Sequence, residues 1–580
     1  MVTVTINSIE TQVPEGTTIL EAAKSLGIHI PTLCHLDLHD IKMVNQVGTC
    51  RVCMVDVEGR RNLIPACSTL VAPNMKISTN TLRAIRARRA IVELLLSSHP
   101  RECLTCERNQ NCELQSLAAE LGIREIRFKG PRLHAEKDTS SYSIVRNKEK
   151  CVLCRRCETM CNEVQTVGVY SAINRGIETV IAPAFDLPMI ETSCTFCGQC
   201  VSVCPTGALT ETDDTQDVWS ALANPDLYVI AQTAPAVRVA LGESFGYPVG
   251  TQVTGKMAAS LKKLGFDKVL DTDFAADLTI LEEASEFLHR VQHGGRLPIL
   301  TSCCPAWVKF FEHSFPDLLD IPSTCKSPHE MFGAVAKTYL AKKLGIDPKK
   351  IVIVSIMPCL AKKFEAKREE LSQTDVGRDV DFVLSTRELA RMIREAGISF
   401  ETLPDEEFDD VMGESTGAAV IFGTSGGVIE AVVRTAAVWL DKDNPNPEID
   451  FHQLRGMQGI REAEVNIGGT EIKIAIANGL GNARRLLEDI RSGKANYHAI
   501  EIMACPSGCV GGGGQPYHGN DIEVLRKRAS ALYKEDSEKQ VRRSHENLQV
   551  KALYDEFLGE LYGEKAHDLL HTHYVKREIL

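Results

Sequence analysis

The sequence predicts a multidomain protein, α+β in its first third and α/β in the remainder. Three observations carry that expectation. Cysteines crowd the first 212 residues in C-x-x-C spacings. Beyond Asp213 they become sparse, and apolar runs such as Tyr228-Val-Ile-Ala-Gln and Ile351-Val-Ile-Val-Ser-Ile read as short, fully buried strands. Helical stretches at Lys256–Leu264 and Ala276–Val291 alternate with those runs, the pattern of helices laid over parallel strands. A chain of 580 residues has room for about four domains with sizeable cores.

Composition narrows the class. A net charge of −12 is modest for this length and argues against nucleic acid as a partner. The N-terminus, Met1-Val-Thr-Val-Thr-Ile-Asn, lacks the basic and apolar regions of a secretory signal. No uninterrupted apolar run approaches the ~18 residues of a membrane span. The expectation is a soluble, cytoplasmic protein without membrane contact. In such a chain, 21 cysteines grouped in C-x-x-C spacings mean metal rather than disulfides.

Residues 1–78 open with an alternating strand (Val2, Val4, Ile6), a Pro14-Glu15-Gly16 turn and a helical stretch from about Thr18 to Leu26. Cys34, Cys50, Cys53 and Cys67 follow. The order of elements resembles a plant-type 2Fe–2S ferredoxin domain, of β-grasp fold, with a longer first cysteine spacing than usual. A four-cysteine zinc site competes with that reading. Residues 79–97 read as an amphipathic helix, with Leu82, Ile85, Ala90, Ile91, Leu94 and Leu95 apolar and Arg83, Arg86, Arg88 and Arg89 basic. The basic face is a solvated one or receives an acidic electron carrier. His99, Cys103, Cys106 and Cys112 follow within 79–137. Three thiolates and one imidazole suit zinc as well as iron. Their spacing and position resemble a one-His/three-Cys 4Fe–4S module found in the iron–sulfur subunit of respiratory NADH dehydrogenase.

Residues 138–212 contain an internal repeat. Cys151-x2-Cys154-x2-Cys157-x3-Cys161 recurs as Cys194-x2-Cys197-x2-Cys200-x3-Cys204-Pro205. This is the bacterial two-4Fe–4S ferredoxin pattern, in which the fourth cysteine of each run serves the other cluster. Cys151, Cys154, Cys157 and Cys204 would hold one cubane, and Cys194, Cys197, Cys200 and Cys161 the other. Glycine clusters at Gly423–Gly427 and Gly511–Gly514 match no phosphate-binding fingerprint. The first reads as a loop or as a close approach to a bulky group; the second directly follows Cys509, which favours such an approach.

Residues 213–580 carry three cysteine-bearing stretches: Thr301–Trp307, Met357–Glu365 and Glu501–Cys509. Adjacent side chains leave the backbone in different directions, so Cys303 and Cys304 rarely serve one metal together. Cys304, Cys359, Cys505 and Cys509 supply the four thiolates of a cubane. The three stretches resemble the signature motifs of the iron-only (FeFe) hydrogenases, and the domain series ahead of them resembles the multi-cluster members of that family. The resemblance implies an α/β hydrogenase catalytic domain whose cofactor, the H-cluster, joins a 4Fe–4S cubane to a diiron unit with CO, CN⁻ and a bridging dithiolate. One 2Fe–2S cluster and three accessory 4Fe–4S clusters would wire it to a redox partner.

The same resemblance assigns residue roles. Cys509 would be the thiolate shared between cubane and diiron unit. Lys362 would donate to a cyanide. Met357 and Met503 would pack on the cofactor as apolar walls, with core methionines as the alternative. Pro235, Ala236, Pro328 and His329 would line the diiron unit, although His329 departs from the glutamine expected there. Glu283 and Glu286, three apart and hence on one helix face, match the family's proton path. Ser323 matches its relay hydroxyl and Cys303 the thiol beside the cofactor. Cys325 is taken as a structural thiol. The expected activity is reversible oxidation of H₂ to protons and electrons, in an anaerobic setting. Ferredoxin or NAD(P)-reducing subunits would accept the electrons, and maturation proteins would insert the cofactor. No NAD(P)-binding fingerprint is present, so reducing a pyridine nucleotide would need another polypeptide. A pure electron-transfer subunit fits residues 1–212 alone. A hydrogen sensor would lack the Cys303 thiol and append a signalling domain, whereas this chain ends at Leu580; an assembly protein of the superfamily would lack the full cysteine set.

Overall fold

The computed structural model describes residues 1–37, 48–372, 376–440, 449–467, 470–519 and 521–578. The chain forms two compact units. The first comprises Met1–Glu163, Gly168–Glu191 and Val203–Thr210; the second comprises Val164–Val167, Thr192–Ser202 and Glu211–Leu580.

In the first unit, the strand Val2–Ile6 turns its alternate side chains inward, as the apolar/polar alternation requires. It pairs antiparallel with Ile9–Val13 and parallel with Met75–Ser78 in a five-stranded sheet. The helix Ile19–Ser25 covers that sheet and starts at a capping box. Thr18 accepts from the Glu21 amide, and the Glu21 carboxylate accepts from the Thr18 amide. The long first cysteine spacing runs through residues 38–47, which lie outside the described residues.

The next helix, Leu82–Ser98, corrects the amphipathic reading. Arg88 is buried, with Nε and Nη2 donating to the Met54 carbonyl at 3.0 and 2.7 Å. Leu82 and Leu94 are 62% and 52% exposed, so the cationic and apolar sides do not separate as the helical period suggested. A local hydrogen bond to an otherwise exposed strand carbonyl outweighs the hydrophobic periodicity here.

The second unit holds two four-stranded sheets. In the first, all parallel, the order is Lys268–Asp271, Tyr228–Thr233, Ile351–Met357, Phe382–Ser385. After its first strand the chain adds one neighbour on one side and the next on the other. The strands Tyr228–Thr233 and Ile351–Met357 therefore flank a topological switch point, and loops leaving their carboxyl ends diverge around a crevice. In the second sheet the order is Ile299–Leu300, Ala499–Met503, Thr470–Asn478, Ile460–Ile467, with only the last strand antiparallel. The 22-residue helix Thr272–His293 is capped by Asp271, whose side chain accepts from the Asp273 amide. It is buried almost continuously from Thr272 to Phe287. That explains why its glutamates do not sit on a solvated face.

Two buried arginines of the second unit are paired with carboxylates. Arg238 meets Asp271 at 2.8 Å, Asp273 at 3.2 Å and Glu535 at 3.0 Å. Arg434 meets Glu430 at 2.8 Å and Asp536 at 2.9 Å, all three fully or nearly fully buried. Buried guanidinium groups with bidentate carboxylates keep their desolvation cost tolerable and fix the geometry of neighbouring helices.

Candidate active site and metal centres

The carboxyl ends of both sheets in the second unit open on one cavity of about 720 Å³, its open mouth included. Ala234, Pro235 and Ala236 leave the strand Tyr228–Thr233, and Met357, Pro358 and Cys359 leave Ile351–Met357. From the second sheet, Cys303 and Cys304 follow Ile299–Leu300, and Met503 and Cys505 end or follow Ala499–Met503. Pro328, His329, Lys362 and Cys509 complete the expected lining, so every residue assigned to the cofactor pocket borders the same cavity.

Five cysteine side chains thus share one enclosed space. Burial pushes the thiols of Cys304, Cys359 and Cys505 up, and that of Cys509 to about 12. Four buried thiols without cations would stay protonated, whereas a bound metal deprotonates them and supplies the missing positive charge. N–H donors already face the sulfurs: the Ala504 amide lies 3.5 Å from Cys304 Sγ and Gln199 Nε2 lies 3.2 Å from Cys505 Sγ. Such N–H···S contacts are among the groups that tune iron–sulfur sites. The donor set fits a cubane with room beside it for a second metal unit. Two glycines keep the backbone close. Gly508 has φ +77°, and a Cβ there would come within 2.7 Å of the Ser425 amide nitrogen. A Cβ on Gly512 would come within 2.2 Å of the Pro358 carbonyl oxygen. Gly423 also borders the cavity, so the first glycine cluster serves it too.

Lys362 lies at the cavity wall with Nζ 2.6 Å from Glu365 Oε2, 2.9 Å from Ser327 Oγ and 3.2 Å from the Cys303 carbonyl. Burial works against its charge, but the Glu365 carboxylate outweighs it and holds the pKa above the ordinary value. His329 lies beside it. Its Nδ1 is 3.0 Å from Glu365 Oε2 and 3.0 Å from Glu330 Oε1. Its Nε2 is buried and has no hydrogen-bond partner.

The relay candidates line up behind Cys303. Burial raises the Cys303 thiol well above its ordinary value, and the Glu283 charge adds to that. Burial, reinforced by the Glu286 charge, pushes Glu283 up to about 8, and its Oε1 has no hydrogen-bond partner. Ser323 Oγ donates to Glu286 Oε2 at 2.8 Å, and the Thr324 amide donates to the same oxygen at 3.0 Å. Arg290, one turn further along the helix, forms an ion pair with Glu286 and is 12% exposed in its side chain.

Several members of this group escaped the sequence reading. Glu286–Arg290 is an i,i+4 pair and was legible as such. His571 was not. Its Nδ1 lies 2.7 Å from Thr324 Oγ1 and its Nε2 lies 3.1 Å from Glu282 Oε2, across 247 and 289 residues of chain. Cys325, taken as structural, is buried with Sγ 3.9 Å from Glu286 Oε2.

The first unit contains three further groups. Cys34 is held below the usual thiol value by the Cys50 and Cys67 thiols beside it, and Cys53 by that of Cys67. His99, Cys103, Cys106 and Cys112 line one pocket with Lys150 and Gly207. Burial, with Lys150 adding to it, lowers His99 to about 4, so the imidazole is neutral, and its buried Nδ1 has no partner. That is the state a metal ligand needs. Cys151, Cys154, Cys157 and Cys204 border a third pocket. Burial raises Cys151 to about 11. Cys161 lies in a π-helical turn, Met160–Val164, where the Val169 amide is 3.4 Å from its Sγ. Cys194, Cys197 and Cys200 belong to the second unit, where the Phe196 amide is 3.4 Å from Cys194 Sγ and Lys309 Nζ donates to the Cys194 carbonyl at 2.7 Å.

Family comparisons match this layout segment by segment. Residues 1–82 match a 2Fe-2S iron-sulfur cluster binding domain. Residues 88–127 match the NADH-ubiquinone oxidoreductase-G iron-sulfur binding region, and 141–208 a 4Fe-4S dicluster domain. Residues 227–513 match the iron only hydrogenase large subunit, C-terminal domain, and 522–577 the iron hydrogenase small subunit. The NADP-reducing hydrogenase subunit HndD of Solidesulfovibrio fructosivorans is 57% identical over 100% of both chains. Iron hydrogenase 1 of Clostridium pasteurianum is 38% identical over 99% of this chain and 100% of its own. The structure of [FeFe]-hydrogenase HydA1 from Chlamydomonas reinhardtii superposes with a TM-score of 0.57 at 42% identity, covering 63% of this chain and 100% of that one. No helix among the described residues is long and apolar enough to cross a membrane. With four buried cysteines converging at the carboxyl ends of its two sheets, the chain belongs to the iron-only (FeFe) hydrogenases, and it carries 2Fe–2S and 4Fe–4S domains ahead of the catalytic one.

Proposed function

We propose that this hydrogenase is the hydrogen-activating subunit of a cytoplasmic complex whose other subunits reduce NADP. The observation that carries this reading is the end-to-end likeness to a protein named as a subunit of an NADP-reducing hydrogenase. The chain itself has no dinucleotide-binding fingerprint, so the hydride acceptor belongs to another polypeptide. Isolated without oxygen from its host, the protein should co-purify with flavin- or nucleotide-binding subunits and reduce NADP with H₂. Isolation of a lone chain that reduces ferredoxin but not NADP would defeat it.

Cys304, Cys359, Cys505 and Cys509 would hold the cubane, Cys509 being the thiolate nearest in role to the diiron unit. When bound, that cofactor supplies the metal at which the H–H bond is made or broken and the outlet for the electrons. The protein's own part is to position, to exclude water and to move protons. Met357, Met503, Pro235, Ala236 and Pro328 supply an apolar wall. Lys362, held by Glu365 and Ser327 at the cavity wall, would offer an N–H to a cyanide.

The Cys303 thiol exchanges protons with the site and passes them through Glu283 and Ser323 to Glu286, whose partner Arg290 is partly open to solvent. At neutral pH both Cys303 and Glu283 are protonated and uncharged, which avoids the cost of an unpaired buried charge. The remaining sets would bind as the family domains do: Cys34, Cys50, Cys53 and Cys67 a 2Fe–2S cluster, His99 with Cys103, Cys106 and Cys112 a 4Fe–4S cluster. Cys151, Cys154, Cys157 and Cys204 would bind another, and Cys194, Cys197, Cys200 and Cys161 a third.

Elemental analysis of the fully matured protein should give about 20 irons per chain and no stoichiometric zinc, if each set binds as in ferredoxins. One zinc per chain would mean that the His99 or the Cys34 set holds zinc instead.

Cys304→Ala should prevent stable cofactor binding. Cys303→Ala should keep the infrared CO and CN⁻ bands yet lose turnover by about 10²-fold or more, the usual contribution of a positioned proton-transfer group. Cys303→Asp should recover more activity than Ala. Near-normal turnover in Cys303→Ala with its cofactor intact would remove the thiol from the relay.

Glu283 sets a pH dependence. Its folded-state pKa, about 8, lies above the ordinary carboxylate value of 4.5, so folding favours the protonated form. The associated stability is present below about 4.5 and is lost as pH rises towards about 8. Glu283→Gln should therefore unfold at higher denaturant than the parent at pH 9, converge with it near pH 4.5, and be inactive throughout. An unchanged pH profile of stability would show that Glu283 is not buried as a neutral acid.

A further inference from the structure

His329 has a hydrogen-bonding arrangement that the cofactor pocket leaves half used. It stands at the start of the helix Pro328–Val335, 1% exposed, with its ring bordering the cavity. One edge of the ring is fixed. Nδ1 faces Glu365 Oε2 and Glu330 Oε1, each at 3.0 Å, and two carboxylates on one nitrogen require a proton there. The other edge is not. Nε2 is buried without a hydrogen-bond partner. A buried ring nitrogen normally finds one, and His329 borders the cavity, so its unmet Nε2 is available to a group that occupies that cavity.

Glu365 couples this ring to Lys362. The single oxygen Oε2 accepts from Lys362 Nζ at 2.6 Å and from His329 Nδ1 at 3.0 Å. One carboxylate therefore aims two nitrogen donors at the same wall, and Ser327 Oγ holds Lys362 from the other side at 2.9 Å. Burial opposes a charge on His329, but Glu330 and Glu365 more than offset it and raise the pKa. In the imidazolium both ring nitrogens are donors.

We propose that His329 Nε2–H donates to a cyanide ligand of the diiron unit, so that His329 and Lys362 form a two-donor clamp positioned by Glu365. The proposal rests on the placement of that unit in this cavity. Its acceptor is chosen on chemistry: an anionic cyanide nitrogen is a strong acceptor facing a cationic donor, whereas a bound CO is a poor one. A donor at the cyanide nitrogen withdraws electron density from the iron. Removing it should return that density, lower one cyanide stretching band, lower the CO bands with it, and move the cofactor's reduction to a more negative potential.

The test is infrared spectroscopy of the matured, anaerobically purified full-length protein and its variants. His329→Leu, which removes the donor, should shift one cyanide band and the CO bands to lower frequency. His329→Gln, which keeps an N–H donor on a side chain of similar reach, should return them most of the way. Glu365→Gln should broaden or shift the same bands, because it loosens both donors. Should His329→Leu fail to take up cofactor, parent protein grown on ¹⁵N-histidine supplies a second reading. Pulsed EPR of the oxidised cofactor should then show a weakly coupled imidazole nitrogen. Unshifted cyanide and CO bands in a cofactor-loaded His329→Leu protein, or no imidazole coupling in the labelled parent, would overturn the clamp. Absence of all cyanide and CO bands in the parent would instead overturn the assignment of the cavity, and the clamp with it.

Discussion

Four cysteine sulfurs from three distant segments meet in one enclosed cavity, and protons alone do not satisfy them. Each thiol is pushed toward its neutral form by burial, while the N–H groups around Cys304 and Cys505 are placed for thiolates. A cationic metal group reconciles the two. Much of the second unit can be traced to that requirement. Parallel sheets place loop after loop at their carboxyl ends, and two such sheets let loops from opposite sides reach a common crevice. Glycines at 508 and 512 appear where a side chain would collide with Ser425 or Pro358.

Burial around the cavity imposes a second condition, on charge. The groups around it either pair or stay neutral. Lys362 and His329 share Glu365; Glu286 holds Arg290, Ser323 and Thr324; Glu501 accepts the Gly426 and Ile429 amides at 2.6 and 3.0 Å. Glu283, with an unpartnered Oε1, is lifted to about 8 by burial and the Glu286 charge. Glu283 and Glu286, three residues apart on one helix, have unlike surroundings: Glu286 is paired with Arg290, whereas burial and the Glu286 charge lift Glu283. Two carboxylates with unlike surroundings are what a directional proton path needs.

The accessory centres obey the same logic at smaller scale. His99 is neutral and unpartnered at Nδ1, and the cysteine groups are clustered in pockets whose walls are short loops rather than regular elements. Regular backbone hydrogen bonding is given up there, and N–H groups turn toward sulfur.

By itself the sequence pointed to the hydrogenase chemistry and to a set of candidate ligands. Cysteine spacing is a local property, so the ferredoxin runs and the three catalytic stretches were legible without any fold, as were the strands Val2–Ile6 and Ile351–Met357. Only the tertiary structure decided what depends on contacts between distant segments. The division of the catalytic α/β region into two sheets needed strand pairing between residues 300 and 500. Burial of Arg88 needed a carbonyl at Met54, and no periodicity announces an acceptor 34 residues away. The orphaned Nε2 of His329, the His571 contacts to Thr324 and Glu282, and the place of Cys325 beside Glu286 arise between segments up to 289 residues apart. Hydrogen bonds and desolvation act through space, and the chain carries no mark of them until it has folded.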